Sequence, residues 1–218
     1  MGAIPGRQAD TGGCTWRDVL HSVTVRRRIG DNPVLNIEFE KSYSAFENAI
    51  SSASLREVAR HWRGVCGENQ LPSWNDLRPS AIKSQLAMVW CYDYDRAGDD
   101  FIGRLAGQKI TRLSDKPFKG ARLSEIRPND KYPRSLIRAR RVVHEPALYC
   151  GQGLVYKTEQ GMGWGERIVM PLRQDGTCPA GIFGATEFQD VADWKNSPLN
   201  LRGEDEQWFS LAGLVAVE

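Results

Sequence analysis

Residues 180–188 constrain this chain more than any other stretch. Ile182, Phe183, Ala185 and Phe188 put apolar side chains on both faces of an extended segment. A strand of that kind belongs in the middle of a sheet, with helices over one side and another element over the other. Three further runs read as extended ahead of it: 147–150, 154–159 and 165–172, with glycine-rich turns at 151–153 and 161–163. Arg173-Gln174-Asp175-Gly176 carries an Asp-Gly hairpin signal leading into the central strand. Earlier in the chain, 86–94 and 100–106 flank a turn at 95–99 that contains Gly98, which predicts a second hairpin.

Helical spacing marks the rest. Leu55, Val58, Ala59, Trp62, Val65 and Cys66 form one stripe, with His61 on its flank and Gly67 at its end. Ser54 with Glu57 three residues on has the form of a capping box. A short helix is expected after Pro79, and helical turns such as 123–126 within a mixed segment over 108–129. A longer helix is expected over 131–143, with Tyr132, Leu136, Ala139 and Val143 inward and Arg134, Arg138 and Arg141 solvated. Trp208, Leu211, Ala212 and Val215 suggest a last helix over 204–215. Residues 1–52 read as a poorly ordered leader, with a short strand at 34–39 that has nothing to pair with. The expected organisation is therefore a leader (1–52), a domain (53–190), and a linker with a helix (191–218). The domain is α+β: an antiparallel sheet with helices grouped on one face.

Composition narrows the function classes. Of 218 residues, 41% are hydrophobic, enough to build a core. Basic and acidic residues number 29 and 27, so the chain is not coated in positive charge for nucleic acid, and Arg26, Arg27 and Arg28 read as a solvated cluster. The mean hydropathy of −0.46 and the shortness of the uncharged run 207–217 argue against a helical membrane span. No basic-then-apolar signal pattern follows Met1, so a cytoplasmic location is expected. The five cysteines, Cys14, Cys66, Cys91, Cys150 and Cys178, are odd in number, scattered and without a CxxC pair, which argues against a disulfide framework and a zinc site.

Catalytic signatures fail one by one. Gly161-Met162-Gly163-Trp164-Gly165 lacks dinucleotide-binding spacing and precedes a strand, and Gly151-Gln152-Gly153 fails the same way. Ser80-Ala81-Ile82-Lys83 matches SxxK only formally, without its companion motifs. The acids Asp93, Asp95, Asp99 and Asp100 cluster at a turn, where such residues shape the backbone. His21, His61 and His144 are not at metal-binding spacing, and the helix dipole alone accounts for His144 at a helix end. The chain is not expected to be an enzyme.

An ordered series of motifs gives the chain a resemblance. It comprises Leu71-Pro72-Ser73 with Leu77-Arg78-Pro79; Val89-Trp90-Cys91-Tyr92-Asp93; and Phe101-Ile102-Gly103-Arg104-Leu105-Ala106-Gly107. Phe118-Lys119-Gly120 with Leu123 follows, then Pro146, then Met170-Pro171-Leu172 with Asp175-Gly176. In this order and spacing, 55–188 resembles the bacterial single-domain PAS proteins of the PAS_5 type. The resemblance implies a five-stranded sheet, a helical cover and a cavity between them. It makes Leu71, Pro72, Arg104, Gly107, Gly120, Pro146, Pro171, Asp175 and Gly176 mainly structural. Arg104 is expected to pair with Asp130 or Glu125, and Gly107 and Gly120 to serve close approaches or turns.

The resemblance further implies a stand-alone sensory or regulatory module that binds a small apolar ligand, a protein partner, or both. The candidate cavity lining is Trp90, Tyr92, Phe101, Arg104, Leu105, Leu136, Met170 and Phe183. Self-association is expected through the helix at 54–66, giving a homodimer. No cofactor is expected: flavin is rejected because 111–115 lacks a cysteine, and haem through His144 is disfavoured because that residue sits at a helix end. Two alternatives stand beside this reading. One is a small enzyme using the same cavity. The other is a structural or nucleic-acid adaptor using Arg26, Arg27 and Arg28 with the arginines of 138–141.

Overall fold

The computed structural model describes residues 33–67, 71–114, 116–126, 132–157, 161–173, 179–191 and 204–211. Two helices come first, α1 (Pro33–Ala49) and α2 (Ala53–Gly64), followed by 3-10 segments at Trp74–Asp76 and Pro79–Met88. The hairpin β1 (Val89–Asp95) and β2 (Asp100–Ala106) leads to short helices α3 (Gln108–Thr111) and α4 (Leu123–Ile126) and the longer α5 (Tyr132–His144). Then come β3 (Ala147–Lys157), β4 (Met162–Arg173), β5 (Pro179–Val191) and β6 (Asp205–Ser210). The strands form one antiparallel sheet in the order β2-β1-β5-β4-β3-β6. The segment apolar on both faces lies in β5, an interior strand between β1 and β4, as its composition demands.

The sheet has six strands, not five. Residues 205–210, expected in a helix, extend along β3 with Tyr149 opposite Trp208 and Leu148 opposite Phe209. Two adjacent aromatics explain this outcome. In a strand they point to opposite faces, and each meets a ring there: Trp208 packs on Tyr149 at 4.8 Å and Phe209 on Phe46 at 5.8 Å. A helical stripe would have used only one of them. The pairing with β6 also carries β3 unbroken through 151–153, where a turn is expected from the glycines.

Helices cover both faces, not one. Phe39, Phe46, Ile50, Leu55, Val58 and Trp62 from α1, α2 and their linker pack on Val89, Cys91, Leu148, Ile168, Met170 and Phe183. Leu136, Ala139, Val142 and Val143 of α5 pack on the opposite face with Trp90, Tyr92, Phe101, Tyr149, Val169 and Ile182. The strand expected at 34–39 is part of α1, because Phe39, Tyr43 and Phe46 recur at helical spacing and all three are buried. The apolar stripe of α2 (Leu55, Val58, Ala59, Trp62) is likewise spent inside the molecule rather than offered to a second copy. Residues 1–32 and the rest of the expected C-terminal helix lie outside the described residues, as do Asp175 and Gly176.

The motif residues have mechanical reasons. Pro171 O accepts the Trp62 indole N–H at 3.0 Å, and Pro146 O accepts the Leu211 N–H at 2.9 Å. Leu71 O accepts from Arg173 Nε at 2.9 Å and Pro72 O from the Arg173 N–H at 3.0 Å, which seats the entry motif beside the end of β4. A Cβ on Gly107 would lie 2.0 Å from Leu86 O, and Gly120 has φ +82°. His61, on the flank as expected, accepts the Arg78 N–H at Nε2, 3.0 Å away.

One buried carboxylate joins the first two helices to the sheet. Glu166 of β4 accepts the Ser51 N–H at 2.8 Å and the Ser52 N–H at 2.7 Å. Ser52, rather than the expected Ser54, is the cap of α2, and its hydroxyl accepts the Leu55 N–H at 3.1 Å. The Ser52 hydroxyl also donates to Glu187. A negative charge here satisfies amides that begin a helix and complements its dipole. Replacing Glu166 with Gln turns an amide donor toward one of these N–H groups. The variant should lose about 1–3 kcal/mol in chemical denaturation. Glu38→Gln, at an exposed pair with Lys41, should lose about 0–1 kcal/mol.

Candidate functional site

The two covers differ in how completely they fill their faces. Between the sheet and α3 and α4 lies a cleft of about 110 Å³; Trp90, Tyr92 and Arg167 line both it and a smaller one of about 40 Å³ under α5. Its floor is aromatic. Tyr92 lies 5.7 Å from the Trp90 ring and 4.7 Å from Phe118. The cover is irregular here because α3 and α4 are single turns. The segment between them bonds to the β2 backbone at Gly103, which donates to Ala121 O at 2.9 Å and accepts from the Gly120 N–H at 2.7 Å.

The polar groups around this floor are few and specific. Trp90 Nε1–H donates to Thr186 Oγ1 at 2.9 Å. Arg167 stands directly across from Thr186 in the β4–β5 ladder. Thr111, Ser114, Lys116, Tyr156 and Lys157 also line the cleft. Tyr156, in the lining, donates to Asp190 at 2.6 Å, which together with burial raises its phenol above the ordinary range. Asp190 also pairs with Arg112 at 3.6 Å.

A second polar assembly closes the other side of α5. Arg134 and Arg138 pair with Glu204 and Glu206 at the start of β6. Arg138, expected to be solvated, is only 9% exposed and lies over the Tyr149 ring, while Arg141 lies over Trp208 at 4.3 Å. Because Arg138 also lines the smaller cleft, one guanidinium touches both the cleft and β6. The arginines of 138–141 do not form an open basic patch: Arg138 meets Glu204 and Glu206, Arg140 meets Asp99, and Arg141 meets Glu145. Arg26, Arg27 and Arg28 lie outside the described residues.

Of the eight expected lining residues, the structure brings Trp90 and Tyr92 to the cleft. Phe101 and Leu136 lie in the core of the same face. Met170 and Phe183 belong to the opposite face with α1 and α2. Their strand neighbours Val169 and Ile182 line the smaller cleft instead, a one-residue difference that reverses a side chain's face. Leu105 is exposed. Arg104 lies outside both clefts: its guanidinium bridges both Asp93 oxygens at 3.1 Å and lies over the Trp74 ring, rather than meeting Glu125, while Asp130 lies outside the described residues. The residues missed were Arg167 and Thr186, legible as the alternates of Ile168 and Ala185 once the buried register is set.

Other chemistry lies away from the cleft. His144 meets Tyr94 Oη at 3.1 Å. Burial pushes the Cys66 and Cys150 thiols up to about 12 and raises Cys91 further, so all three are protonated at neutral pH. Among the described residues no group of three or more His, Cys, Asp or Glu is placed to hold a metal ion.

Burial alone would raise the Glu206 carboxyl, but hydrogen bonds from Arg138 and Arg134 outweigh it and hold the group below its ordinary 4.5. Its stabilising effect is therefore present above pH 4.5 and lost as pH falls through the lowered range. In thermal unfolding, the wild-type chain should exceed Glu206→Gln at pH 7, and the gap should close below pH 4.5.

The family whose sequence pattern matches this chain, over residues 50–187, is the PAS domain. Helix α1 precedes the matched region and β6 follows it. Among solved structures, the chain is similar to the Vibrio cholerae VqmA dimer, reported in connection with its target DNA and with LuxR-type receptors. Identity there is 16% and the TM-score 0.41, over 52% of each chain, so the match spans about half of the VqmA chain. No curated protein matches the chain.

Proposed function

The chain belongs to the PAS domain family, and on that premise we propose that it is a sensory module that takes a small molecule into the cleft between its sheet and α3–α5. One observation carries the reading. The α1–α2 face is filled by interlocking side chains, whereas the α3–α5 face keeps an aromatic-floored space ringed by a few polar groups, the usual make-up of a ligand site. Arg138 supplies the route outward. A molecule seated beneath α5 would shift the helix that carries it, and with it the hold on β6. The message then passes to a protein partner or a second copy, through a surface other than the buried stripe of α2.

No described helix is long and apolar enough to cross a membrane, and we place the module's action in the cytoplasm. Binding and relay are the proposed activities; no catalytic step is part of them.

The test is thermal denaturation of the whole chain against a broad set of small metabolites. At about 100 times its dissociation constant a true ligand adds about 2.7 kcal/mol, a rise of roughly 5–11 °C for a chain of this size. Val155 lines the cleft, so Val155→Trp should abolish that rise while circular dichroism stays unchanged. A set in which no compound stabilises the chain, or one in which the filled variant responds equally, contradicts the reading.

A further inference from the structure

Resting on that reading, we propose the class of ligand: a flat apolar ring bearing a hydrogen-bond acceptor, either a carbonyl oxygen or an unprotonated ring nitrogen, to which the Thr186 hydroxyl donates. The observation that carries this is an unspent proton in the cleft. Thr186 lines the larger cleft and is 2% exposed. Its Oγ1 accepts the Trp90 indole N–H at 2.9 Å. A hydroxyl also has one proton to give, and among the described residues nothing accepts it.

Trp90 accounts for the oxygen of Thr186 but not for its proton. Trp90 stands opposite Gly184 in the β1–β5 ladder, and Thr186 is two residues further along β5, on the same face. Gly184 lets the indole lie across the strand, because a Cβ there would come within 2.3 Å of the Trp90 ring. The indole proton holds one side of Oγ1, and the hydroxyl proton turns to another. A donor left without an acceptor costs free energy wherever water is kept out. A ligand that brings an acceptor recovers that cost. One without an acceptor covers the hydroxyl and replaces nothing that water gave it.

The floor fixes the rest of the class. Tyr92 lies 5.7 Å from Trp90 and 4.7 Å from Phe118, so aromatic surface for a flat body adjoins the donor. In such a site apolar contact holds the body and a placed polar group sets orientation and selectivity.

Two matched pairs of single-ring compounds, titrated into the whole chain and followed by chemical shift, test this: pyridine beside benzene, at a pH that leaves pyridine neutral, and acetophenone beside ethylbenzene. Only the first member of each pair has an acceptor. Comparing the affinity ratio within a pair between wild type and Thr186→Val cancels the unequal hydration of the two compounds. The ratio should fall about two- to tenfold in Thr186→Val, the equivalent of one neutral hydrogen bond. It should be kept in Thr186→Ser. Benzene and ethylbenzene should bind wild type and Thr186→Val alike, whereas a variant that had merely disturbed the floor would weaken all four compounds. In a crystal structure of the acetophenone complex, the carbonyl oxygen should lie about 2.8 Å from Thr186 Oγ1.

A ratio unchanged in Thr186→Val, a loss common to all four compounds, or a carbonyl turned away from Thr186 would overturn the assignment. So would a failure of all four while another compound stabilises the chain and loses its effect in Val155→Trp. In those cases the cleft remains a ligand site. Failure of every compound, probe and metabolite alike, removes both readings. The acetophenone complex uses the unaltered protein, so it decides even where a variant does not fold.

Discussion

The interior strands of this sheet are apolar on both faces, and the remaining elements are arranged to keep water from both. Alternate residues of β1, β3, β4 and β5 feed two separate cores. That requirement explains why a helix precedes the matched PAS region: without α1, the Phe209 ring would lose its partner Phe46. It also explains the Glu166 junction. A helix that starts against a sheet buries its first amides, and a buried amide needs an acceptor. Glu166 supplies two oxygens from the strand beneath.

The two covers meet this requirement differently, and the difference makes the site. α1 and α2 are long and amphipathic and leave their face filled. α3 and α4 are single turns, so their part of the cover follows the chain's turns rather than a helical ridge, and space remains above Trp90 and Tyr92. At the far end α5 closes the face, tied to β6 by two arginines and two glutamates. Arg138 belongs to both the cleft and this tie. In the proposed module, the molecule in the cleft and the strand at the sheet edge therefore compete for the position of the same side chain.

Much of the fold was legible in the sequence. The hairpin β1–β2, helix α5 and the central place of β5 follow from alternation, helical spacing and turn residues that agree with one another. The errors share one cause: local pattern does not say what lies across the sheet. Trp208 and Leu211 suit a helical stripe until Phe209 is seen against Phe46. The glycines of 151–153 read as a turn until β6 lies beside them. Arg138 reads as solvated until Glu204 and Glu206 arrive from more than sixty residues away. The site suffered the same way. Trp90 and Tyr92 were found because β1 alternates cleanly, whereas Met170 and Phe183 were assigned one residue out of phase with Val169 and Ile182. Nothing local distinguishes those pairs, since both are apolar; only the register against β1 does.

The central claim is that the cleft under α3–α5 holds a small molecule. Native mass spectrometry of the chain purified from its own host, followed by denaturation and identification of what is released, tests it most directly. The account predicts a bound mass that leaves on denaturation and is absent from Val155→Trp prepared in the same way. A chain whose native and denatured masses agree, and which gains no mass when offered the host's small-molecule extract, would contradict it.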